Sequence, residues 1–306
     1  MEKLTLIANP AASGFTGGKH RQVASILGKV YDVDIQWPTH PDQATALTAQ
    51  AAATGTAIIA GMGGDGVVNR IAAGLVGSDA ALAVLPAGTT NVLARILHIP
   101  NDAVKAARML AERPPPQPLS LISVKTDSGQ QRYGTFAVGL GLDADVVEHA
   151  ERNSHRKRSM GGLHYGQTAV RLFLTDFRRR VPDMTLHIGD QSVRAVGVMI
   201  QLHDPYTYFG PMPLRVAPES SDILDVLVIE RISVRRLPGV LTRAVFGGDM
   251  SRVPNLSVIH GVDKMVIDAD TTVPLQGDGE LFEKVEQATI TFQPNAINAI
   301  YPARQS

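Results

Sequence analysis

The residues best suited to chemistry lie in a glycine-rich stretch, residues 61–69, with the sequence GMGGDGVVN. An apolar run at residues 56–60 precedes it and apolar residues at helical spacing follow Asp65, so the pattern predicts a strand, a glycine turn and a helix N-terminus. Glycines let a ligand approach the backbone, and a helix N-terminus favours an anion such as a phosphate. The carboxylate of Asp65 would repel a phosphate unless it serves a metal ion or an acid–base step. An ordinary turn with Asp65 as the helix N-cap explains the same residues, and both interpretations stay open.

Two further loops in the same half of the chain combine glycine with amide and hydroxyl side chains. They contain Asn9, Ser13 and Gly14 after the first predicted strand, and Thr89 and Asn91 after the fourth. Strand, loop and helix patterns recur from residue 1 to residue 112, which indicates a doubly wound α/β domain. Because open α/β sheets bind ligands at the carboxyl ends of their strands, we expect the three loops to lie at the binding edge.

The composition narrows the class of protein. The 306 residues are enough for two domains, and 44% of them are hydrophobic. The 29 basic and 29 acidic residues balance, so we expect no nucleic-acid partner. Cysteine is absent, which excludes disulfides and thiol catalysis. The N-terminus has no signal-peptide pattern and no run is typical of a transmembrane span, so a cytoplasmic location is expected.

A proline-rich run, residues 113–118, marks the clearest boundary in the chain. Beyond it, short β-type runs dominate, among them residues 133–138 and 193–202, and they predict a mainly β second domain, a sandwich or an open barrel. One basic segment interrupts them, residues 149–158, and a predicted helix over residues 163–177 ends in three arginines. This segment fits either a rim that meets anionic headgroups or a solvated helix cap.

Four motifs follow one another in a specific order. They are N-P-x-x-S-G at residues 9–14, G-G-D-G at 63–66, P-A-G-T-T-N-V-L-A-R at 86–95 and G-D-G-E at 277–280. The set resembles the diacylglycerol kinase catalytic-domain superfamily, especially the soluble bacterial lipid kinases akin to diacylglycerol and sphingosine kinases. The glycine-rich residues 136–144 are similar to the strand that opens the family's second domain. The resemblance extends over nearly the whole chain.

The resemblance implies a two-domain fold related to the NAD kinases and phosphofructokinases. It implies an N-terminal nucleotide-binding α/β domain, residues 1–117, and a β-rich acceptor domain, residues 118–287, with the nucleotide in the cleft between them. The last strand often returns to the first domain in this family, so residues 288–306 are expected to pack there. The expected cofactors are ATP and Mg²⁺.

The resemblance also assigns roles to individual residues. The nucleotide contacts that it implies are Asn9, Ser13, Gly14, Thr39, Gly63, Gly64, Asp65, Gly66, Val67, Asn69, Thr89 and Asn91. Asp278 and Glu280 match the family's acidic pair. Phosphoryl transfer to an alcohol needs a carboxylate that orients or deprotonates the hydroxyl, so we expect Glu280 as base, Asp278 in support, and Asp65 acting through the metal or the acceptor hydroxyl. Taken alone, residues 277–280 would be a hairpin turn.

Three departures from the family pattern bear on activity. Val67 stands where the family usually has Thr, and Arg70 stands where it usually has Glu. The Asp-Gly pair of a structural Mg²⁺ site is eroded before residue 224, and Asp222 is the remaining candidate metal ligand. The departures at Val67 and Arg70 make a non-catalytic nucleotide-binding module one alternative to a lipid kinase. A kinase of a soluble small molecule, which would share the fold, is the other. We expect an active kinase in which Arg70→Ala weakens ATP binding.

The expected partners follow from a lipid substrate. A diacylglycerol- or sphingoid-type acceptor lies in a membrane, so we expect peripheral contact with an anionic membrane surface through Arg152, Arg156, Lys157 and Arg158. A homodimer is a candidate assembly.

Overall fold

The computed structural model describes residues 1–152, 180–218, 223–231 and 233–303. The chain forms two compact units. The first contains Met1–Leu121 and Pro294–Ser306, and the second contains Ile122–Gln293. No helix in these described ranges is long and apolar enough to cross a bilayer.

The first unit is a parallel sheet with helices between its strands. Its strands are β1 (Glu2–Ala8), β2 (Tyr31–Gln36), β3 (Ile58–Gly63) and β4 (Ala81–Pro86), and its helices are α1 (Gly17–Leu27), α2 (Gln43–Ala53), α3 (Asp65–Leu75), α4 (Val92–Ile96) and α5 (Ala103–Ala111). The strand order is β2-β1-β3-β4, and the end of β16 (Glu280–Ile300) pairs in parallel with β4. The predicted doubly wound α/β domain is confirmed.

Strands β3 and β4 are buried at every residue, as expected for parallel strands that helices cover on both faces. β3 extends beyond the predicted residues 56–60 and ends at Gly63, so only Gly64 separates it from α3. A Cβ on Gly63 would lie 2.8 Å from Val67 Cγ2, and one on Gly61 would lie 2.7 Å from Ile71 Cδ1. These two glycines therefore let α3 pack directly on β3.

The second unit is mainly antiparallel β-structure. Its strands begin with β5 (Gln117–Thr126), which starts in the first unit, and continue with β6 (Gln131–Gly134), β7 (Ala137–Gly141), β8 (Met184–Ile188), β9 (Gln191–Ala195), β10 (Gly197–Gln201), β11 (Thr207–Phe209), β12 (Met212–Leu214), β13 (Leu224–Ile229), β14 (Leu256–Val262), β15 (Lys264–Gly277) and β16. The helices among the described residues of this unit are α6 (Leu142–Arg152) and α7 (Leu237–Phe246), and short 3-10 turns lie at Val234–Arg236 and Met250–Arg252. The main path runs β14-β13-β10-β7-β15-β16.

The core of this unit is apolar and comes from many strands. Fully buried members include Val138, Leu140, Val198, Ile200, Val226, Val228 and Leu275. Because successive strand residues point to opposite faces, these alternate positions bury one face of each strand. The predicted mainly β character of the second half is confirmed.

Two predicted strands of this unit are each divided. The expected strand at residues 133–138 is β6 and β7, separated by Thr135 and Phe136, because the backbone N–H groups of those two residues bind the Asp278 side chain. The expected strand at residues 193–202 is β9 and β10. The helix predicted over residues 163–177 lies outside the described residues.

Candidate active site

The loops that follow β1, β3 and β4 meet at the carboxyl edge of the first unit's sheet. The Asn9 N–H donates to the Met62 carbonyl at 2.9 Å, and the Gly14 N–H donates to the Ala87 carbonyl at 2.7 Å. The Ser13 and Thr89 hydroxyls form a hydrogen bond of 2.8 Å across 76 residues of sequence. The structure thus brings together the three polar loops that the sequence indicated.

The β3–α3 and β4–α4 turns approach each other backbone to backbone. A Cβ on Gly88 would lie 2.5 Å from Gly64 Cα, so residue 88 cannot carry a side chain at this contact. Asn91 holds the second turn: its amide oxygen accepts from Gly88 N–H at 2.8 Å, and its amide nitrogen donates to Gly88 O and to Asn101 Oδ1. Asn91 is only 6% exposed. Its described bonds position the turn.

Asp65 links two of these turns. Its Oδ2 accepts from the Val92 N–H at 3.0 Å and its Oδ1 from the Leu93 N–H at 3.2 Å. The carboxylate therefore caps α4, favoured by that helix's positive end. The interpretation of Asp65 as the N-cap of its own helix is wrong, because Gly64 occupies that position. Carboxylate oxygens are also among the ligands that Mg²⁺ takes in proteins.

The remaining implied nucleotide contacts differ in accessibility. Ser13 and Thr89 are exposed at the edge, and Asn9 is half-buried with its Oδ1 accepting from Ala11 N–H. Thr39 is also exposed, and its N–H and hydroxyl both donate to Gln43 Oε1 at the start of α2. Gly66 and Asn69 of the same set are buried.

Val67, Asn69 and Gly66 belong to the first turns of α3. The Val67 methyl groups pack against Gly63, and Asn69 is buried. A nucleotide at this edge would therefore meet the backbone of this helix start. The Val67 side chain also packs the helix on the sheet through its contact with Gly63.

Arg70 lies on the side of α3 that faces α2. Its Nη1 donates to the Gly66 carbonyl at 2.9 Å, its Nε lies 3.7 Å from Asp42 Oδ1, and its carbonyl accepts from Thr45 Oγ1. These contacts place a cation beside the Thr39–Gln43 turn. A Glu at this position would meet the Asp42 carboxylate instead, so the departure from the family pattern matches its local surroundings.

In the second unit, the acidic motif at residues 277–280 forms a tight hairpin turn between β15 and β16. Gly277 pairs with Glu280, and the two residues between them have φ angles of 54° at Asp278 and 80° at Gly279. Two positive φ angles in a two-residue turn are typical of type I′, for which Asp-Gly is a preferred sequence. The hairpin reading of this motif is correct, and the turn also sets the position of its two acids.

The Asp278 carboxylate is buried at 5% exposure and accepts four hydrogen bonds. Oδ2 accepts from Thr135 N and Oγ1 at 2.7 and 2.8 Å, and Oδ1 accepts from Phe136 N and Ala137 N at 3.0 and 3.1 Å. Four donors use all the lone pairs of a carboxylate. Asp278 therefore holds the start of β7, while Glu280, the first residue of β16, is half-buried.

A buried polar cluster adjoins this turn, and sequence reasoning did not identify it. Tyr206 Oη donates to Asp143 Oδ2 at 2.5 Å, and Gln276 Nε2 donates to the same oxygen at 2.6 Å. Gln276 Oε1 in turn accepts from the Gly279 N–H at 2.8 Å. The cluster thereby connects α6 to the hairpin that carries Glu280. The glycine-rich residues 136–144 were a signal, because a Cβ on Gly139 would lie 2.0 Å from Asp143 Oδ2.

Burial controls the ionisation of this cluster. Removal from water raises the pKa of Asp143, although the hydrogen bonds from Tyr206 and Gln276 oppose the shift. Burial, together with the neighbouring Asp143 carboxylate, raises the pKa of Tyr206 well above its usual value of 10. Tyr206 is therefore a hydrogen-bond donor at neutral pH.

The candidate metal ligand Asp222 lies outside the described residues, as do Arg156, Lys157 and Arg158 of the predicted basic rim. Nor is the Arg152 side chain among the described groups. Within the described part of the chain, no group of three His, Asp or Glu side chains could hold a metal ion. Mg²⁺ that arrives with a nucleotide usually takes one or two protein carboxylates besides phosphates and waters. Asp65 is suited to that role.

Two known family domains match successive parts of the chain. The diacylglycerol kinase catalytic domain matches residues 3–123. The YegS C-terminal NAD kinase beta sandwich-like domain matches residues 136–301, more than half of the chain.

Individual relatives agree with the family match. The chain is 31% identical over 274 residues to a probable lipid kinase YegS-like protein of Xanthomonas campestris, covering 85% of this chain and 84% of that protein. It is 30% identical over 152 residues to a diacylglycerol kinase of Mycobacterium tuberculosis, a match that spans 49% of each chain. A putative diacylglycerol kinase of Bacillus anthracis has a similar fold, with a TM-score of 0.78, 20% identity and coverage of 98% of this chain and 95% of that one.

Proposed function

We propose that this chain, which belongs to the diacylglycerol kinase catalytic-domain family, is a lipid kinase that transfers the γ-phosphoryl group of ATP to a lipid hydroxyl. The acceptor class is a diacylglycerol- or sphingoid-type lipid. The observation that carries the proposal is the meeting of three loops at the carboxyl edge of the parallel sheet, joined by the Ser13–Thr89 and Gly14–Ala87 hydrogen bonds. This edge is where open α/β sheets bind ligands.

The first unit supplies groups that suit a nucleotide triphosphate. The start of α3 directs backbone N–H groups and the positive end of a helix dipole toward the edge. The Ser13 and Thr89 hydroxyls and the Asn9 side chain add neutral hydrogen-bonding groups beside it. The Gly64–Gly88 contact fixes the two turns against each other, so the site is organised before the ligand binds.

Asp65 has two roles in this proposal. Its bonds to Val92 and Leu93 hold the β4–α4 turn in place. Its carboxylate is also the kind of ligand that binds Mg²⁺ accompanying ATP. When bound, Mg²⁺ neutralises charge on the phosphates during transfer. A carboxylate that bridges one helix start to another is rigid, which suits a ligand that demands fixed geometry.

Glu280 is the proposed general base. It accepts the proton of the acceptor hydroxyl as the hydroxyl oxygen forms a bond to the γ-phosphorus, and the bond from that phosphorus to the β–γ bridging oxygen breaks to leave ADP. Asp278 is a positioning residue, because its carboxylate is fully used by Thr135, Phe136 and Ala137. It fixes the turn from which Glu280 projects.

The test is an acceptor screen. The purified protein is incubated with Mg²⁺ and ATP labelled at the γ-phosphate, together with a cell lipid extract and with separate diacylglycerols and sphingoid bases. We expect a labelled lipid phosphate, and its loss in Glu280→Gln. Labelling of a water-soluble compound alone would favour a small-molecule kinase, the second enzymatic candidate on this fold. Labelling of neither fraction would contradict the kinase proposal.

A further inference from the structure

One surface of the second unit has an unusual composition for a face in contact with water. Helix α7 follows the 3-10 turn Val234–Arg236, and β12 packs against it. Ala244 is the buried residue of this helix, whereas Leu241 is 45% and Phe246 is 83% exposed. Met212 on β12 is 42% exposed. We call the exposed side of α7 together with Met212 the α7 surface.

The outward side of α7 carries no charge. It consists of the exposed Pro238, Leu241, Thr242 and Phe246. The Thr242 hydroxyl donates to the Pro238 carbonyl at 2.8 Å, so its donor is satisfied within the helix. A helix on the surface of a soluble protein normally places charged and polar residues on the side away from the core. Helix α7 departs from this pattern, because its outward side is mainly apolar.

Arginines surround this apolar surface. Residues 231–248 contain Arg231, Arg235, Arg236 and Arg243 and no Asp or Glu. The described bonds of Arg236 and Arg243 go to the backbone carbonyls of Pro254 and Gly239, which leaves their charge uncompensated. Glu230 directly precedes this segment, and two acids on adjoining segments pair with other arginines: Asp249 with Arg252 and Asp204 with Arg215.

We propose that the α7 surface docks the protein on an anionic lipid bilayer. An exposed helix with aromatic and aliphatic residues on one side and arginines beside them has the composition of a helix that lies in the membrane interface. Phe246, Leu241 and Met212 would enter the boundary between headgroups and acyl chains, and the arginines would meet the phosphates of anionic lipids. This inference rests on the proposed function, because a lipid acceptor lies in a membrane that the enzyme must reach. The positive charge of the arginines is complementary to anionic headgroups, so we assign the surface to a bilayer.

The docking test measures binding without nucleotide. The full chain is sedimented with phosphatidylcholine vesicles that contain or lack phosphatidylglycerol, at low and high salt. We expect binding to the anionic vesicles that weakens as salt screens the charges. Phe246→Ser combined with Leu241→Ser should lower the partition coefficient about tenfold. Val181→Ser, a control at another apolar residue with 75% exposure, should leave it unchanged.

A second pair of variants tests the charge independently of the apolar residues. Arg235→Ser combined with Arg236→Ser should remove the preference for anionic vesicles, whereas Lys125→Ser, at an exposed residue of β5, should retain it. Equal wild-type binding to neutral and anionic vesicles, or unchanged binding by both double variants, would overturn the proposal. A dimer in size-exclusion chromatography that the Phe246 variant abolishes, with no vesicle binding, would assign the surface to self-association instead.

Turnover separates this inference from the proposed function. With a short-chain diacylglycerol that is monomeric in water, the Phe246 and Leu241 double variant should phosphorylate as fast as the wild type, and with vesicle-borne diacylglycerol it should be slower by about the same factor as its binding. Vesicle binding without any lipid phosphorylation would contradict the kinase proposal and leave docking supported. If the double variant phosphorylates vesicle-borne diacylglycerol at the wild-type rate, the kinase proposal is supported and the docking proposal is contradicted.

Discussion

At the scale of single residues, the two acids of the β15–β16 turn have different tasks. Asp278 is enclosed and uses its carboxylate on four donors from the segment before β7. Glu280, two residues later, is half-buried and begins a strand. The short sequence motif made the two acids look like a catalytic pair. The structure separates a positioning carboxylate from the one that we propose as base.

This division predicts a stability effect at Asp278. Asp278→Asn replaces one acceptor oxygen by an NH₂ group that faces backbone N–H donors, so one or two buried N–H groups lose their partner. We expect the free energy of unfolding to fall by about 2–3 kcal/mol in urea titrations. Asp190→Asn is the matched control, because Asp190 is exposed in the equally short β8–β9 turn, and its effect should stay within about 0.5 kcal/mol. Equal effects of both variants would contradict the assignment.

At the scale of elements, the glycines at the end of β3 serve packing as well as ligand approach. Gly63 faces Val67 of α3, and the absence of its Cβ sets the distance between the strand and the helix. The start of α3 is the part of the proposed site that would meet phosphates. The helix can direct its N–H groups toward the edge only while it stays close to the strand.

A double-mutant cycle tests this contact. Gly63→Ala should lower the free energy of unfolding by about 1–3 kcal/mol, because its methyl group would overlap Val67 Cγ2. Val67→Ala removes the obstructing methyls. The double variant should therefore lose less free energy of unfolding than the sum of the two single losses, by at least about 0.5 kcal/mol. Urea unfolding of all four proteins measures the coupling. Strictly additive losses would show that the two residues do not determine the spacing.

The α5 helix start gives a pH-dependent prediction. Asp102 Oδ1 accepts from Val104 and Lys105 N–H at 3.0 and 3.1 Å, and Oδ2 lies 3.2 Å from Lys19 Nζ. Partial burial opposes ionisation, but the hydrogen bonds and the Lys19 charge lower the pKa of Asp102 below 3.8. A depressed folded-state pKa gives stability that is present above the unfolded-state value and is lost as pH falls through the folded-state value.

Asp102→Ala should therefore lower the free energy of unfolding by about 1 kcal/mol at neutral pH. The difference in this free energy between the variant and the wild type should become smaller below about pH 4. Asp102→Asn keeps a capping oxygen without the charge, so it should lie between the two proteins at neutral pH. Urea unfolding at both pH values measures these differences. A gap that widens on acidification would contradict the assigned shift.

At the scale of the whole molecule, the sequence predicted the family, the α/β and β-sandwich fold classes and the three loops, because these depend on local patterns. It did not predict how Asp65 reaches Val92, 27 residues away. Nor did it predict how Asp143 meets Tyr206 and Gln276 across 63 and 133 residues. Contacts of this range depend on strand pairing, and no local motif encodes them. The ends of elements also differed, most clearly where Asp278 interrupts the predicted strand at residues 133–138.

The central claim is that the chain transfers phosphate to a lipid and does not only bind a nucleotide. The most direct measurement compares ATP binding by calorimetry with lipid phosphorylation for the wild type, Glu280→Gln and Arg70→Glu. We predict that the wild type binds and turns over, that Glu280→Gln binds ATP with turnover reduced at least about a hundredfold, and that Arg70→Glu weakens binding. ATP binding by the wild type without turnover, together with turnover that appears only in Arg70→Glu, would contradict the account and identify a nucleotide-binding module.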